Sequence, residues 1–154
     1  MNRFPLKIYF LILIGLPLLF GCDETFDLPP YVYVGAEISY LNSTYSDSTF
    51  YFSLRRLGTD SLLVDNTTSG ELSFPLSTND SSTYILTIDA IIDTMTVYHK
   101  NTLIEESIES GFYYEYEIIS INFTKNRIDS IAIPDSTITS IWNENLEIYI
   151  NNNN

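Results

Sequence analysis

The chain is poor in cysteine, basic residues and histidine, and each shortage narrows the possible functions. Cys22 is the only cysteine among 154 residues, so a disulfide within one chain is excluded. Seven Lys and Arg stand against twenty Asp and Glu, giving a formal charge of −13. A surface this acidic repels phosphate backbones and anionic lipid headgroups, so we expect no nucleic-acid partner.

The sequence also lacks the usual arrangements of catalytic and ligand-binding residues. A Ser-His-acid mechanism would depend on His99, the only histidine, which we expect to be solvated at the end of a strand. Glycines are isolated rather than grouped in a phosphate loop, and no calcium loop or His-Glu-x-x-His pair is present. We therefore expect no catalytic residue, metal or cofactor. A carboxylate-dependent hydrolase stays a remote alternative, because twenty acids always offer some suitable pair.

The first 21 residues have the pattern of an export signal. Arg3 and Lys7 precede an apolar run, Ile8 to Phe20. A transmembrane helix is the competing interpretation, but spanning a bilayer takes about 20 apolar residues, and Gly15 and Pro17 interrupt this shorter run. We predict a signal peptide over residues 1–21.

The signal ends in a sequence that resembles the lipobox of bacterial lipoproteins. Leu19 lies three places before Cys22 and the small Gly21 lies just before it, while Phe20 is bulkier than usual. The resemblance implies that Cys22 carries diacylglycerol and becomes the mature N-terminus. Several acyl chains hold a protein to a bilayer much better than one.

We interpret the segment that follows, residues 22–30, as a lipidated tether. It is acidic and ends in Pro29-Pro30, which favours an extended connection. Two of the seven bases lie in the signal, so the rest carries five bases against twenty acids, a formal charge of −15. Electrostatic attachment to a membrane is therefore disfavoured, and we expect the lipid on Cys22 to attach the protein to the membrane.

From Tyr31 onward, short runs rich in Tyr, Ile, Val, Phe and Thr alternate with polar turns. We predict an all-β fold, a single antiparallel β-sandwich, immunoglobulin-like or similar, over residues 31–150, with a disordered tail over 151–154. Only Thr102 to Glu109 could form a helical turn. The predicted strands are Tyr31–Val34, Glu37–Leu41, Thr49–Arg55, Ser61–Val64, Glu71–Leu76, Thr83–Asp89, Thr94–His99, Phe112–Ile118, Ser120–Thr124, Ser130–Ile133 and Leu146–Ile150.

Several short segments carry a family resemblance across most of residues 60–150. They are the run Leu72 to Leu76 with Thr83 to Leu86, then Asp93 to Tyr98, Ser110 to Phe112, and a closing segment Ile141 to Ile150. With the lipobox, these segments resemble a family of small, uncharacterised lipoproteins typical of Bacteroidetes.

The resemblance implies an envelope location and a β fold, and it supplies no reaction. Members commonly carry a cysteine where this chain has Ser110, and another soon after the lipobox, so a disulfide between tether and domain is missing here. Acidic residues near the lipidated cysteine act in surface export in Bacteroidetes. Asp23 and Glu24 are therefore a possible sorting signal, and we expect the protein to be located at the outer membrane. The sequence does not decide between the periplasmic face and the cell surface.

Tyrosine is the one compositional feature that points to binding. Exposed tyrosines on a sheet can contact glycans or proteins, but they also stabilise sheets through cross-strand pairs, which is the commoner role. Our leading hypothesis is a non-enzymatic envelope module that binds or assembles through a strand edge or a tyrosine face. The alternative is a glycan- or small-ligand-binding module, which predicts several tyrosines on one concave face. The candidate tyrosines are Tyr31, Tyr33, Tyr40, Tyr45, Tyr51, Tyr113, Tyr114 and Tyr116.

Overall fold

The computed structural model describes residues 32–41, 49–107 and 111–151. Within these ranges the regular structure consists of ten strands, and no helix occurs. The strands are β1 Tyr33–Tyr40, β2 Phe52–Arg56, β3 Leu62–Thr67, β4 Glu71–Pro75, β5 Ser81–Ile88, β6 Ile91–Ser107, β7 Gly111–Phe123, β8 Ile128–Ala132, β9 Thr137–Ile138 and β10 Glu144–Ile150.

The strands form two sheets that pack face to face. Sheet A has the order β4-β1-β10-β8, and sheet B has the order β3-β2-β5-β6-β7-β9. Among the described strands, β1 pairs with β10 in parallel and the other pairings are antiparallel. The β-sandwich predicted from the sequence is therefore confirmed, with one parallel pair in the middle of sheet A.

The core follows directly from period-two alternation along the strands. In β5, buried and half-buried residues alternate over all eight positions, so every second side chain enters the core. Both sheets contribute large apolar residues, and each fully buried one is worth about 1.5–3 kcal/mol. The largest fully buried side chains are Tyr84, Phe52, Phe74, Leu54, Leu86, Ile88, Met95, Ile128, Ile138, Leu146, Ile148 and Ile150.

Three predicted boundaries are wrong for the same physical reason. The helical turn considered for Thr102 to Glu109 does not form over Thr102 to Ser107, because β6 continues to Ser107; residues 108 and 109 lie outside the described ranges. Likewise β1 runs unbroken through Gly35, and β7 runs unbroken through Ile119. In each case pairing with a neighbouring strand, often around a bulge, overrides the local turn signal.

The β5–β6 connection is a tight hairpin with an uncommon backbone. Asp89 and Ala90 lie between Ile88 and Ile91, which are paired, and their φ angles are +48° and +68°. Two successive positive φ angles are typical of the type I′ hairpin turn, which favours Asn-Gly. Ala90 holds this conformation without the freedom of glycine.

A buried carboxylate fixes the crossover from sheet B to sheet A. Asp93 on β6 accepts hydrogen bonds from the backbone N–H groups of Asn126, Arg127 and Ile128 at 2.9, 2.7 and 3.0 Å, and from the Thr124 hydroxyl at 2.6 Å. Burial alone would raise the pKa of Asp93, but these four hydrogen bonds hold it below its usual value. The β7–β8 turn is therefore folded around one anion.

Arg127 adds a second link at the same end of the sandwich. It is 4% exposed, forms an ion pair with Asp89 at 3.0 Å, and lies 5.9 Å from the centre of the Tyr40 ring. Its guanidinium also donates to the carbonyl of Asn151, and its own carbonyl accepts from the Asn151 N–H at 3.0 Å. Asn151, where the sequence predicts the tail to begin, is thus hydrogen bonded to the domain.

Candidate binding site

A cleft opens at the end of the sandwich where the chain enters the domain. Its volume is about 180 Å³, and four of its seven lining residues are tyrosines. Sheet A supplies the start of β1 and the end of β4, while β7 of sheet B supplies the opposite wall. We call this the tyrosine cleft; its lining residues are Val32, Tyr33, Pro75, Leu76, Tyr113, Tyr114 and Tyr116.

Strand direction explains why residues so distant in sequence meet here. β4 runs antiparallel to β1, so Pro75 is paired with Tyr33. In sheet B the long β6–β7 hairpin continues past the start of β5, which brings the first half of β7 to the same end. Tyr114 and Tyr116 are two residues apart on one strand, and their ring centroids lie 6.4 Å apart.

None of the described residues that line the cleft is cationic. Tyr116 is buried, and burial, followed by the neighbouring Tyr114, raises the pKa of its hydroxyl above the usual value, so it stays neutral at physiological pH. Tyr113 directs its hydroxyl to Glu115 at 3.5 Å. The site therefore offers aromatic faces and hydroxyls, which suit an uncharged ligand better than an anion.

A buried polar network lies against the inner side of Tyr116. The His99 ring contacts the Tyr116 ring edge-on at 5.3 Å. Its Nδ1 lies 2.7 Å from Oδ1 of Asn101, whose amide nitrogen donates to the carbonyl of Thr78 at 2.6 Å. Because that bond fixes the amide orientation, Oδ1 must accept, and His99 carries its proton on Nδ1. Nε2 then accepts from the Ser82 hydroxyl at 3.3 Å.

His99 is therefore not the solvated histidine that the sequence predicts. It is 1% exposed, and its predicted strand end lies in the interior of the much longer β6. Burial lowers the pKa of His99, while its bond to Asn101 and the charge of Asp80 oppose that shift only in part. The ring is held neutral, as a structural support for the wall of the cleft.

Hydrogen bonds link Ser82, His99 and Asn101 in the same order as the side chains that activate a catalytic serine. In this structure, however, the Ser82 hydroxyl is not accessible to a substrate. Ser82 is 2% exposed, and its oxygen already accepts from the Ser77 N–H at 2.8 Å. Nucleophilic attack requires a reacting carbon within about 3–3.5 Å of that oxygen. Because Ser82 is buried, a substrate carbon cannot reach its oxygen, so the network stabilises the fold and the wall of the cleft.

A second concavity, of about 440 Å³, lies beside the middle of β6 and β7 and the residue that precedes β5. It has a single tyrosine and opposite charges from Asp80 and Lys100, so it lacks the convergence of aromatic rings that distinguishes the tyrosine cleft. Its lining residues are Asp80, Tyr98, His99, Lys100, Ile119 and Ser120.

A row of acids crosses the outer face of sheet A. Glu37 on β1 is paired with Glu71 on one side and with Glu147 on the other. Burial first, and then these three carboxylates, raise the pKa of the nearby Glu144. Among the residues described, no group of three His, Cys, Asp or Glu is arranged to hold a metal ion. The row is thus a source of repulsion within the sheet.

The structure brings together half of the tyrosines that the sequence singles out. Tyr33, Tyr113, Tyr114 and Tyr116 share the cleft. Tyr40 instead packs edge-on against Phe50 at 5.6 Å, and Tyr51 lies exposed just before β2. Tyr31 and Tyr45 lie outside the described residues. Pro75 and Leu76 were missed, because only the β1–β4 pairing places them beside Tyr33.

The residues predicted for lipid attachment and sorting also lie outside the described ranges. These are Leu19, Phe20 and Gly21 of the lipobox, the attachment residue Cys22, and the acids Asp23 and Glu24. The predicted tether over residues 22–30 lies there too. In the described part of the chain, no helix is long and apolar enough to cross a membrane.

Comparison with known proteins places the chain in a family without assigning a function. Residues 41–150 match the model of a family of unknown function (DUF6452), and the chain belongs to this family. No curated protein and no solved structure matches it. The match covers β2 to β10 and begins after β1, so Val32 and Tyr33 of the cleft lie outside it.

Proposed function

We propose that this member of the DUF6452 family is a lipid-anchored binding module of the bacterial cell envelope, and that the tyrosine cleft is its binding site. One observation carries the binding role: Tyr33 of β1 in one sheet and three tyrosines of β7 in the other line the same open cleft. Tyrosines that only stabilised a sheet would be spread as cross-strand pairs. Convergent aromatic side chains at an open end are typical of a ligand site.

The anchor is proposed from the sequence. Cys22 follows an apolar run with a lipobox-like ending and is the only thiol available. Each methylene buried in a bilayer adds about 0.8 kcal/mol, so the acyl chains on one cysteine hold the protein without help from surface charge. Asp23 and Glu24 favour the outer membrane as the destination. Mass spectrometry of protein from native membranes would show acyl chains on Cys22 and no residues 1–21; an intact leader with a free thiol would overturn the anchor.

The cleft favours the glycan alternative over other ligand classes. A volume of about 180 Å³ suits one ring-sized group, since sites for larger ligands span about 300–1,000 Å³. A sugar ring offers an apolar face for tyrosine rings and hydroxyls for tyrosine hydroxyls. We therefore propose a neutral sugar unit of an envelope glycan as the ligand.

A second candidate is assembly by strand addition along β7. β9 pairs with only Tyr116 and Glu117, so most of this 13-residue strand has no neighbour on its outer edge among the residues described. An open edge can accept a strand from another protein. This candidate predicts a protein partner rather than a glycan.

Binding rather than catalysis is the proposed role, because Ser82 and His99, whose side chains are hydrogen bonded, are both buried. Site-specific photocrosslinking in living cells tests the proposal. A photoreactive phenylalanine analogue at Tyr113 would report the occupant of the cleft, and the same analogue at Ile92 would be the control. Ile92 is 57% exposed and lies at the opposite end of the sandwich, beside the β5–β6 turn.

The expected result is a crosslink to glycan at Tyr113 and none at Ile92. Loss of the glycan after digestion with an envelope glycosidase would identify its class. A protein crosslinked at Tyr113 would favour strand addition instead. Equal labelling at Tyr113 and Ile92, or none at either, would overturn the cleft as the binding site.

A further inference from the structure

Two adjacent apolar side chains stand out at the surface between β9 and β10. Ile141 is 79% exposed and Trp142, the only tryptophan in the chain, is 66% exposed. Single exposed apolar residues are ordinary, but a neighbouring isoleucine and tryptophan in one loop form a patch that favours a less polar environment.

This patch is held in place by hydrogen bonds. The Ile141 N–H donates to the Thr139 hydroxyl at 3.2 Å, and the Asn143 amide donates to Asp135 at 2.5 Å. The carbonyl of Asn143 also lies directly over Gly35, where an added Cβ would sit only 2.1 Å from it. Since these contacts fix the loop backbone, the two apolar side chains are held at a defined position on the surface.

The position of the patch relates it to the predicted anchor. Gly35 lies three residues after Val32, the first described residue, and the indole nitrogen of Trp142 would lie 3.2 Å from a Cβ on Gly35. Ten residue steps separate Val32 from Cys22, so a fully extended connection spans at most about 35 Å. The patch therefore lies at the end of the domain that a lipid on Cys22 would hold near a bilayer.

Further exposed apolar residues share this end. Phe112 and Leu103 lie on the part of the β6–β7 hairpin that extends past the start of β5, next to the wall of the tyrosine cleft. Tryptophan and other aromatic side chains favour the interface between lipid headgroups and hydrocarbon, whereas the acidic chain disfavours anionic headgroups.

We propose that Ile141 and Trp142 insert into the headgroup region of a zwitterionic bilayer, so that the domain rests on the membrane in a fixed orientation. This inference rests on the proposed lipid anchor, and it adds a second, non-covalent membrane contact. Insertion of both side chains would strengthen retention on a bilayer, and removing them with Ile141→Ser and Trp142→Ser would weaken the non-covalent contact by about a hundredfold.

The single tryptophan allows a direct test. The lipidated protein, purified from membranes, is incorporated into phosphatidylcholine vesicles, with or without bromine on the acyl chains. Bromine quenches indoles that reach the bilayer. The matched control moves the tryptophan to the opposite end in the double variant Trp142→Phe, Tyr51→Trp, because Tyr51 is 55% exposed and its N–H bonds to Asp89 of the β5–β6 turn at 3.0 Å.

The expected result is a blue shift and strong bromolipid quenching for Trp142, and neither for the control tryptophan. Vesicle flotation is measured on the same samples. If the protein floats but Trp142 stays open to aqueous acrylamide, the inference is wrong and the anchor stands. If the protein does not float, the anchor fails and the inference fails with it.

Discussion

Replacing Asp93 with Asn should remove a large share of the stability of the domain. The carboxylate is 1% exposed and is the common acceptor for three backbone N–H groups and one hydroxyl. An amide keeps one oxygen and places an N–H₂ group where the other stood, so at least one backbone N–H loses its acceptor. That loss costs about 1–3 kcal/mol, and each remaining bond loses about 1 kcal/mol because its acceptor is no longer charged.

We therefore expect Asp93→Asn to lower the free energy of unfolding by about 4–6 kcal/mol at pH 7, against a usual total of about 5–15 kcal/mol. Equilibrium urea unfolding followed by circular dichroism measures the change. Asp60→Asn is the control, because Asp60 is exposed in a loop and should change stability by less than about 0.5 kcal/mol.

The pH dependence gives an independent check on the same reasoning. The folded-state pKa of Asp93 lies below its usual value of 3.8. Its stabilisation is therefore fully present above the unfolded-state pKa and is lost as the pH falls through the folded-state pKa. The difference between wild type and Asp93→Asn should stay constant down to about pH 5 and shrink below that. A loss under about 1 kcal/mol at pH 7, or a difference that grows in acid, would refute the role of the carboxylate.

Three further changes test other parts of the fold. Ala90→Gly should raise the unfolding free energy by about 1 kcal/mol, because a left-handed conformation costs an L-residue about that much; unchanged urea unfolding would contradict the turn geometry. Glu37→Gln should also stabilise, by about 0.5 kcal/mol at low salt, since it relieves repulsion from Glu71 and Glu147, and added salt should reduce the gain. Burial lowers the folded-state pKa of His99, so wild type should lose stability as the pH falls through the usual value of 6.5, whereas His99→Gln should lack that slope in thermal unfolding.

The sequence predicts the sandwich well because alternation is a local property. Thr94 to His99 alternates with period two, and it lies in β6 as predicted. Strand ends are harder, because neighbouring strands determine them. The residues around Gly35 resemble a break, yet pairing with β4 and β10 carries β1 through. Thr102 to Ser107 resembles a helical turn, yet β7 pairs with Thr102 to Glu105 and with Ser107, around a bulge at Glu106.

Only the β7 part of the candidate site could be predicted from the sequence. A run of tyrosines near residue 114 marks β7 as unusual, but nothing in the sequence shows that Tyr33 lies opposite it. That proximity depends on which strand ends lie at the same end of the sandwich. The β1–β4 pairing and the length of the β6–β7 hairpin determine this. His99 was misjudged for a related reason, since its burial depends on contacts with Ser82 and Tyr116 from two other strands.

The cleft and the exposed Ile141–Trp142 pair lie at the same end of the domain, and this limits what a ligand could be. The connection from Cys22 to Val32 spans at most about 35 Å, so under the proposed lipid anchor the cleft would sample only molecules close to the bilayer. If Trp142 also inserts, the mouth of the cleft lies nearer still, beside the headgroups. A neutral glycan that reaches the cleft must then be attached to the membrane or lie directly over it. Shortening the tether should leave binding to such a glycan intact, whereas a ligand that diffuses freely through the envelope would be excluded as the mouth closes against the membrane.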